Sequence, residues 1–331
     1  MKMQSKRQKW PAAKQKAKGK YQKAKVKLEG CATFQGRSKR KKVPPFCLLP
    51  FAFCLLLLCE ASAFAQGTVA WVPDKLINGA PVVFRYQSPA PLKAVEGRFL
   101  GKRVFFRFDQ ASNAWYGFAG IDYDTKAGSH DLNLTATATN GQPSSFAQMI
   151  PIGKGAYRTS TISVAKKYVD PDPADAARIM RERELKNDVL NRITNSQLWA
   201  GSFAAPASLG TTSEFGSQRT YNGKRQSVHQ GLDYGAGVGT PIRTINSGKV
   251  ILARDLYFEG NCVVIDHGQG MLSLYFHLSQ FKVKEGDSVT KGQLIALSGG
   301  TGRVTGPHLH LAVRWQGIYV NPATLLGIKL P

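Results

Sequence analysis

Gly248-Lys-Val-Ile-Leu252 opens a series of short apolar segments that continues with Cys262-Val-Val-Ile-Asp266 and Leu272-Ser-Leu-Tyr-Phe276. Glycine occurs at nearly every break, and a similar segment occupies residues 309–313. Short runs rich in Val, Ile and aromatic residues between such breaks favour β-strands, and the pattern predicts no helix in this half. We therefore expect an antiparallel, twisted or barrel-like sheet in the C-terminal domain, residues 198–331.

The segment from residue 66 to residue 165 is dense in Val, Phe, Tyr and Thr, with turn residues at short intervals. Its strand-like runs include Pro81-Val-Val-Phe-Arg-Tyr86 and Arg103-Val-Phe-Phe-Arg-Phe108. This pattern predicts a small, β-sandwich-like N-terminal domain. Its single histidine, His130, has no neighbouring group of ligand or acid–base residues, so we expect a binding, spacer or folding role for this domain.

A helical connector is predicted between the two β-rich parts, over residues 166–197. Asp172 is placed to cap a helix, Pro173 suits its first position, and Asp175 suits its first turn. The helix is expected to run to about Arg192, and its many charged residues indicate a solvated connector. The chain is therefore predicted to be mainly β, with one connector helix between its two domains.

The first 65 residues have the composition of a basic leader followed by a signal peptide. Residues 1–42 contain 16 Lys or Arg and one acidic residue, and so carry +15 of the net charge of +24. The apolar run at residues 46–58 is too short for a comfortable membrane span, and small residues around Ala65 predict cleavage after it. We therefore expect an exported protein of the periplasm or cell surface, with its signal peptide only transiently in the membrane.

Alternatives to this interpretation of the leader remain open. The basic run is abnormally long, which an upstream start codon chosen in error or an unusual leader would each explain. A retained membrane anchor and a nucleic-acid-binding arm also fit parts of it. Removal of the leader eliminates the nucleic-acid interpretation, so no nucleic acid is expected among the partners of the mature chain.

Cysteine usage excludes a disulfide framework in the mature chain. Four of the five cysteines precede Gln66, which leaves Cys262 alone after cleavage. Because Cys262 lies in an alternating strand pattern, it is predicted to be a small core side chain rather than a nucleophile.

Histidines are concentrated in the C-terminal part, where five of the six lie between residues 229 and 310. His308 and His310 are two residues apart and so project from one face of a strand. There they can share a metal, or one can bind while the other does acid–base work. His229 and Asp233, close together in a glycine-containing stretch, add an imidazole and a carboxylate. Two imidazoles and one carboxylate make the three-ligand set of a catalytic zinc site whose fourth position is open to water.

Several further motifs surround these residues in a fixed order. They are Phe215-Gly216, His229-x-Gly-x-Asp233, Gly239-Thr-Pro241, Gly260-Asn261, Tyr275-x-His277-Leu278, Thr301-Gly302 and Gly306-Pro-His308-Leu-His310. Their order and spacing resemble those of the lysostaphin/LytM-type M23 zinc endopeptidases. The resemblance covers about residues 198–325, and the segment before it resembles that of envelope M23 proteins with an N-terminal β-domain.

The resemblance implies a barrel-like antiparallel fold and a role for each motif residue. It makes His229, Asp233 and His310 the ligands of one Zn²⁺ per chain. It makes His277 and His308 the catalytic histidines that do not bind the metal, without dividing the roles between them. The candidate substrate contacts are Tyr221, Asn222, Thr301 and Arg303.

The function that the resemblance implies is zinc-dependent hydrolysis of peptide bonds in the stems or cross-bridges of peptidoglycan. The alternative, of a different class, is a non-catalytic M23-like protein that binds cell wall or activates a separate amidase. Such regulators usually lack part of the metal set, whereas all five positions are filled here. The sequence leaves open which peptide bond is cut and what the oligomeric state is.

Overall fold

Seven antiparallel strands form the N-terminal part of the protein. The computed structural model describes residues 67–331. The strands are β1 (Thr68–Val72), β2 (Pro81–Gln87), β3 (Leu92–Phe99), β4 (Lys102–Asp109), β5 (Ala114–Gly120), β6 (Gly128–Ala138) and β7 (Pro143–Ile152). They pair in the order β1-β2-β5-β4-β3-β6-β7. Residues 102–105 of β4 pair with β3 and residues 106–109 pair with β5, so the sheet bends within β4 into a sandwich-like arrangement.

Alternating residues of these strands fill the N-terminal core. In β6, Leu132, Leu134 and Ala136 are buried while the residues between them are more exposed. Phe84 of β2 meets Phe99 of β3 edge to face, with 5.1 Å between the ring centroids. This period of two is the one that the sequence pattern predicts for half-buried strands.

One short strand and one helix connect these strands to the rest of the protein. β8 (Thr159–Ile162) is followed by a 3₁₀ helix (Lys166–Tyr168) and by α1 (Pro173–Leu190). The Asp172 side chain accepts a hydrogen bond of 2.8 Å from the backbone N–H of Asp175. The predicted helix start is therefore confirmed, and the helix ends two residues before the predicted end.

The charged residues of α1 contact the C-terminal sheet as well as solvent. Lys186 Nζ lies 2.5 Å from Glu259 Oε1. The Glu182 side chain accepts a hydrogen bond of 2.7 Å from the backbone N–H of Tyr257, 75 positions further along the chain. The expectation of a solvated connector was therefore incomplete, because these partners are remote in sequence and no local pattern reveals them.

Twelve more strands follow in the described chain. They are β9 (Thr211–Ser213), β10 (Gln218–Tyr221), β11 (Arg225–Val228), β12 (Leu232–Tyr234), β13 (Pro241–Arg243), β14 (Gly248–Leu256), β15 (Gly260–Gly268), β16 (Met271–Phe281), β17 (Ser288–Val289), β18 (Leu294–Ser298), β19 (Leu309–Trp315) and β20 (Ile318–Val320). Ten of them form one sheet along the path β17-β14-β15-β16-β19-β12-β9, with β13, β18 and β20 paired beside it. β10 and β11 instead form a three-stranded sheet with β8.

The larger sheet is antiparallel and nearly closed, as the sequence predicts for this half. Cys262 is fully buried in β15, which confirms its assignment as a core side chain. The two β-rich parts pack on each other through Phe118 and Trp315, whose ring centroids lie 6.2 Å apart. The predicted fold class, mainly β with a connector helix, is therefore confirmed.

One short helix in the C-terminal half was not predicted. The helix α2 spans Pro322–Gly327, and the Asn321 side chain accepts a hydrogen bond from the backbone N–H of Ala323. Leu325 anchors it in the core. The local signal, an N-cap asparagine followed by proline, was present but too short to stand out among the strand patterns.

The basic leader and the signal peptide lie outside the described residues. Within residues 67–331, no helix is long and apolar enough to cross a membrane. The residue boundaries proposed for the domains, at 66–165, 166–197 and 198–331, stay predictions.

Candidate metal centre

Two adjacent strands carry the carboxylate and one imidazole of the candidate metal site. Asp233 of β12 is the direct cross-strand partner of His310 of β19, so both side chains project from one face of the sheet. His229 lies between β11 and β12, four positions before Asp233. All three side chains are buried. Strand pairing thus brings together residues that are 77 positions apart in sequence.

The three polar side chains converge on one point. His229 Nε2 lies 2.9 Å from Asp233 Oδ1 and 3.0 Å from His310 Nδ1. His310 Nδ1 lies 2.8 Å from the same carboxylate oxygen. One ligand atom from each residue lies within 4.8 Å of the others. The structure therefore brings together all three predicted metal ligands.

The hydrogen bond on the far side of His229 fits a cation at this point. His229 Nδ1 lies 2.8 Å from the Glu214 carbonyl oxygen, so Nδ1 carries the proton and the neutral ring has a lone pair at Nε2. That lone pair faces the Asp233 carboxylate, which can only accept when it is ionised. A metal ion between these acceptors removes the mismatch, and two imidazoles with one carboxylate are a zinc-type donor set.

A glycine makes room for this cluster. A side chain at Gly231 would place its Cβ 2.4 Å from His310 Nε2 and 2.6 Å from the Leu311 carbonyl oxygen. Real Cβ atoms do not approach so closely, and the backbone carbonyl cannot easily move away. Gly231 in the His-Gln-Gly-Leu-Asp motif is therefore required for the position of the His310 ring.

Burial and pairing set the protonation of the cluster. Burial acts to raise the pKa of the Asp233 carboxyl, but the adjacent imidazoles of His229 and His310 outweigh it and hold this pKa well below its ordinary value. Burial lowers the pKa of His310 to about 4, against the opposing effect of Asp233. Near neutral pH the site therefore offers an ionised carboxylate and a neutral His310, the forms that bind metals.

Two more histidines lie beside the cluster. The ring centroids of His277 and His308 are 4.8 Å apart, and those of His277 and His310 are 6.1 Å apart. His308 Nε2 lies 3.9 Å from Asp233 Oδ1. The structure therefore places both predicted catalytic histidines next to the three predicted ligands.

Backbone carbonyls hold the rings of these two histidines. His277 Nδ1 lies 2.9 Å from the Thr301 carbonyl oxygen, and His308 Nδ1 lies 2.8 Å from the Gly306 carbonyl oxygen. Each Nδ1 is thus the protonated nitrogen of the neutral ring, which leaves a lone pair on Nε2. Burial, with smaller contributions from His310 and His308, lowers the pKa of His277 to about 3. His277 is therefore neutral near neutral pH, with its Nε2 lone pair free of a proton.

The backbone at His277 is strained. Its φ of 64° lies in the left-handed region, which an ordinary side chain occupies only at a cost. The register between β15 and β16 shifts across this residue, and the register between β16 and β18 shifts just after it. Such strain persists where the surrounding structure imposes it, and it clusters at functional sites.

A cleft runs across the cluster as two cavities, of about 480 and 160 Å³. Tyr221 and Arg303 line both cavities, and the Arg303 guanidinium lies 4.5 Å from the centre of the Tyr221 ring. Both are therefore placed to contact a ligand of the cleft. The larger cavity is also lined by alternate residues of and after β8, namely Ser160, Ile162 and Val164.

The other two predicted substrate contacts have structural partners. Thr301 donates through Oγ1 to the Leu278 carbonyl and holds His277 through its own carbonyl oxygen. Asn222 occupies the turn between β10 and β11, and its amide bonds both the N–H and the carbonyl of Val164. Asn222 does not line either cavity of the cleft. Thr301 thus orients a site residue, whereas Asn222 ties the hairpin to the segment after β8.

His267 is fully buried away from the cluster. Its Nδ1 lies 2.7 Å from the Ser247 carbonyl oxygen and its Nε2 lies 2.8 Å from Ser273 Oγ. Burial lowers its pKa to about 4. Both ring nitrogens are thus used inside the fold.

Sequence reasoning missed the residues behind the metal cluster. Arg219 of β10 donates from Nη2 to Asp233 Oδ2 at 2.8 Å and to Ser213 Oγ at 2.7 Å. Glu214 contributes only a backbone carbonyl, which no residue pattern could reveal. The sole signal for Arg219 was its place just after the Phe215-Gly216 motif.

A nearly closed antiparallel sheet thus carries a His-Asp-His cluster that could hold a metal ion, with two further histidines beside it. Comparison with known proteins points to the same part of the chain. Residues 227–322 match the profile described as peptidase family M23. The C-terminal part of the chain is therefore similar to peptidase family M23.

Named relatives match a stretch of similar length. The peptidoglycan DD-endopeptidase ShyA of Vibrio cholerae is 47% identical over 98 residues, which are 30% of this chain and 23% of ShyA. The DD-carboxypeptidase/endopeptidase Mpg of Neisseria meningitidis is 43% identical over 98 residues, again 30% of this chain and 23% of the relative. The chain thus spans about a quarter of the length of these curated relatives.

A solved structure covers more of the chain. The crystal structure of a candidate M23 peptidase from Pseudomonas aeruginosa is 28% identical, with a TM-score of 0.58. The match covers 76% of this chain and 96% of that one. The similarity of fold therefore extends beyond the 96 positions between residues 227 and 322.

Proposed function

We propose that the protein is a zinc-dependent endopeptidase that hydrolyses peptide cross-links of peptidoglycan in the cell envelope. The observation that carries the proposal is the convergence of His229, Asp233 and His310, with His277 and His308 beside them. The match of residues 227–322 to peptidase family M23 supports a peptidase. Peptidoglycan is proposed as the substrate because relatives that match part of this chain are named for cell-wall peptidase activity.

One zinc ion per chain, held by His229, Asp233 and His310, would polarise the scissile carbonyl and lower the pKa of water towards about 7. The chain itself supplies the proton transfers. Because Nδ1 of His277 and of His308 donates to a backbone carbonyl, each neutral ring can only accept at Nε2. Neither ring can donate from Nε2 before it has accepted a proton.

This restriction sets the order of the proton steps. One of the two histidines first accepts a proton from the attacking water at Nε2. The imidazolium so formed is a donor, and it can stabilise the developing negative charge or protonate the departing amine. The Thr301 and Gly306 carbonyls keep both rings in orientation throughout.

The shape of the cleft suits an extended peptide. Two adjoining cavities border the metal cluster, so an extended peptide has space along it. Tyr221 and Arg303 are proposed to contact the peptide where the cavities meet. Ile162 and Val164 add an apolar wall from the segment that follows the N-terminal strands. Residues 66–165 and the connector 166–197 would thus border the peptidase domain 198–331.

Digestion of purified peptidoglycan with the purified protein tests the proposal. Mass spectrometry of the products should reveal new peptide termini at one type of bond. His310→Ala should lose zinc and activity together, whereas His277→Ala should keep zinc and lose turnover. The half-buried His130 in β6 gives the matched control, His130→Ala, which should change neither. Equal activity in all of them would reject the mechanism and favour the non-catalytic cell-wall binder or amidase activator.

Export is tested at the N-terminus of the protein purified from cells. Mass spectrometry should find a chain that starts near Gln66 in the periplasm or at the cell surface. An intact basic segment on a cytoplasmic protein would contradict the proposed localisation.

A further inference from the structure

We propose that Arg219 is a positioning residue of the metal site, which holds Asp233 in a one-oxygen binding mode. This inference rests on the proposed metal site but not on the proposed substrate. Arg219 lies outside the stretch that matches the family profile, which begins at residue 227.

Because of Arg219, the two carboxylate oxygens of Asp233 have different partners. Asp233 Oδ1 faces the imidazoles of His229 and His310 at 2.9 and 2.8 Å. Oδ2 accepts a hydrogen bond of 2.8 Å from Arg219 Nη2. With Oδ2 occupied by a charged donor, only Oδ1 is left for a metal. A carboxylate held in this way leaves a coordination position open for water or substrate.

Arg219 is itself held in place from several sides. Its Nη2 also donates to Ser213 Oγ at 2.7 Å, and Ser213 pairs with Asp233 across β9 and β12. Its strand, β10, lies between β11 and β8, and Arg219 is opposite Ser160 of β8. The side chain is only 13% exposed. Such anchoring restricts the guanidinium to the position from which it meets Asp233.

Apart from these contacts, the hydrogen-bonding groups of the buried Arg219 side chain are not all satisfied. Its Nε is buried without a hydrogen-bond partner among the residues that the structure describes. An unpartnered buried donor costs stability, so packing alone does not account for an arginine here. The ion pair with Asp233 does account for it, because metal ligands are commonly oriented by hydrogen-bonded neighbours whose loss weakens the site.

Substitution of Arg219 should therefore change the metal site rather than the fold. Arg219→Met removes the donor and keeps an apolar stem of similar length. We expect Asp233 to turn and offer both oxygens, which raises the coordination number. The visible absorption of the cobalt(II)-substituted protein should weaken as the site leaves four-coordination, and zinc affinity or kcat should fall about 10–100-fold with little change in KM. Arg219→Lys keeps the positive charge but has a single donor group. Its zinc affinity and cobalt absorption should lie between those of the wild type and Arg219→Met.

Controls separate this role from a purely structural one. Arg254 forms an exposed ion pair with Glu285, so Arg254→Met removes an arginine contact far from the metal cluster. It should leave the cobalt spectrum and the zinc affinity unchanged. Circular dichroism establishes that each variant is folded. If Arg219→Met does not fold, Arg219→Lys decides the question by the same two measurements.

The test is decided by metal binding and the cobalt spectrum, and not by digestion of peptidoglycan. A folded Arg219→Met or Arg219→Lys with the wild-type cobalt spectrum and zinc affinity within about twofold of wild type would overturn the inference. A wild-type protein that binds zinc but digests no peptidoglycan would reject the proposed substrate and leave this test intact. A wild-type protein that binds no zinc would reject both.

Discussion

His277 is the position at which stability and activity should respond in opposite directions. Its φ of 64° costs an ordinary residue about 1–2 kcal/mol. His277→Ala keeps this strain and loses the hydrogen bond to the Thr301 carbonyl, whereas His277→Gly loses the same bond but relieves the strain. After subtraction of about 0.5–1 kcal/mol for the greater chain entropy of glycine, the glycine variant should be about 1 kcal/mol more stable than the alanine variant.

Urea unfolding followed by circular dichroism measures this difference. In thermal unfolding, about 1 kcal/mol corresponds to about 2–4 °C in Tm for a chain of this size class. Both variants should retain zinc, and their turnover of peptidoglycan should be lower by about 10²–10⁴-fold because a proton acceptor is gone.

Gln269 provides the control for the backbone effect. Its φ is 53°, and it lies at a turn between β15 and β16 rather than in the cleft. Gln269→Gly should likewise exceed Gln269→Ala in stability, with activity unchanged in both. If His277→Ala were as stable as His277→Gly, the claim that the backbone at His277 is strained would be contradicted. Turnover within tenfold of wild type in either His277 variant would contradict the catalytic role.

Two further predictions concern residues around the site. Because burial lowers the pKa of His267 from 6.5 to about 4, the unfolded chain binds a proton in this window and the folded chain does not. The contribution of neutral His267 to the free energy of unfolding is therefore fully present above pH 6.5, and about 3 kcal/mol of it is lost as the pH falls towards 4. In urea unfolding, His267→Gln should lose less stability than the wild type over this pH range. An equally steep loss of stability in the variant would contradict the prediction. Gly231→Ala should weaken zinc binding, measured by chelator competition, because its Cβ meets His310, whereas Gly237→Ala, with open space around it, should not; equal zinc affinity in both would refute the requirement for glycine.

Local patterns in the sequence predicted the elements that local patterns control. The β-strands followed from alternation and glycine breaks, and the start of α1 followed from Asp172 and Pro173. The five residues of the candidate site were found because histidine and aspartate are unusual in apolar strands and stand in a recognisable order. Pairing of β12 with β19 then brought Asp233 and His310 face to face.

Contacts that depend on remote pairing could not be predicted. β8 pairs in parallel with β10, so Thr159 meets Gln218, and no pattern near either residue specifies this. The same pairing places Ile162 at the cleft, although residue 162 had been assigned to the N-terminal domain. Arg219 likewise looked like one more charged residue of a basic chain until its partner Asp233 was located.

Titration of zinc into the metal-free protein, with peptide-bond cleavage in purified peptidoglycan as the readout, tests the central claim most directly. Cleavage should be absent without metal and should rise to a plateau at one zinc per chain, while His310→Ala stays inactive throughout. Full cleavage by the metal-free protein, or no cleavage at any zinc concentration, would contradict the claim that His229, Asp233 and His310 form the metal centre of a zinc endopeptidase.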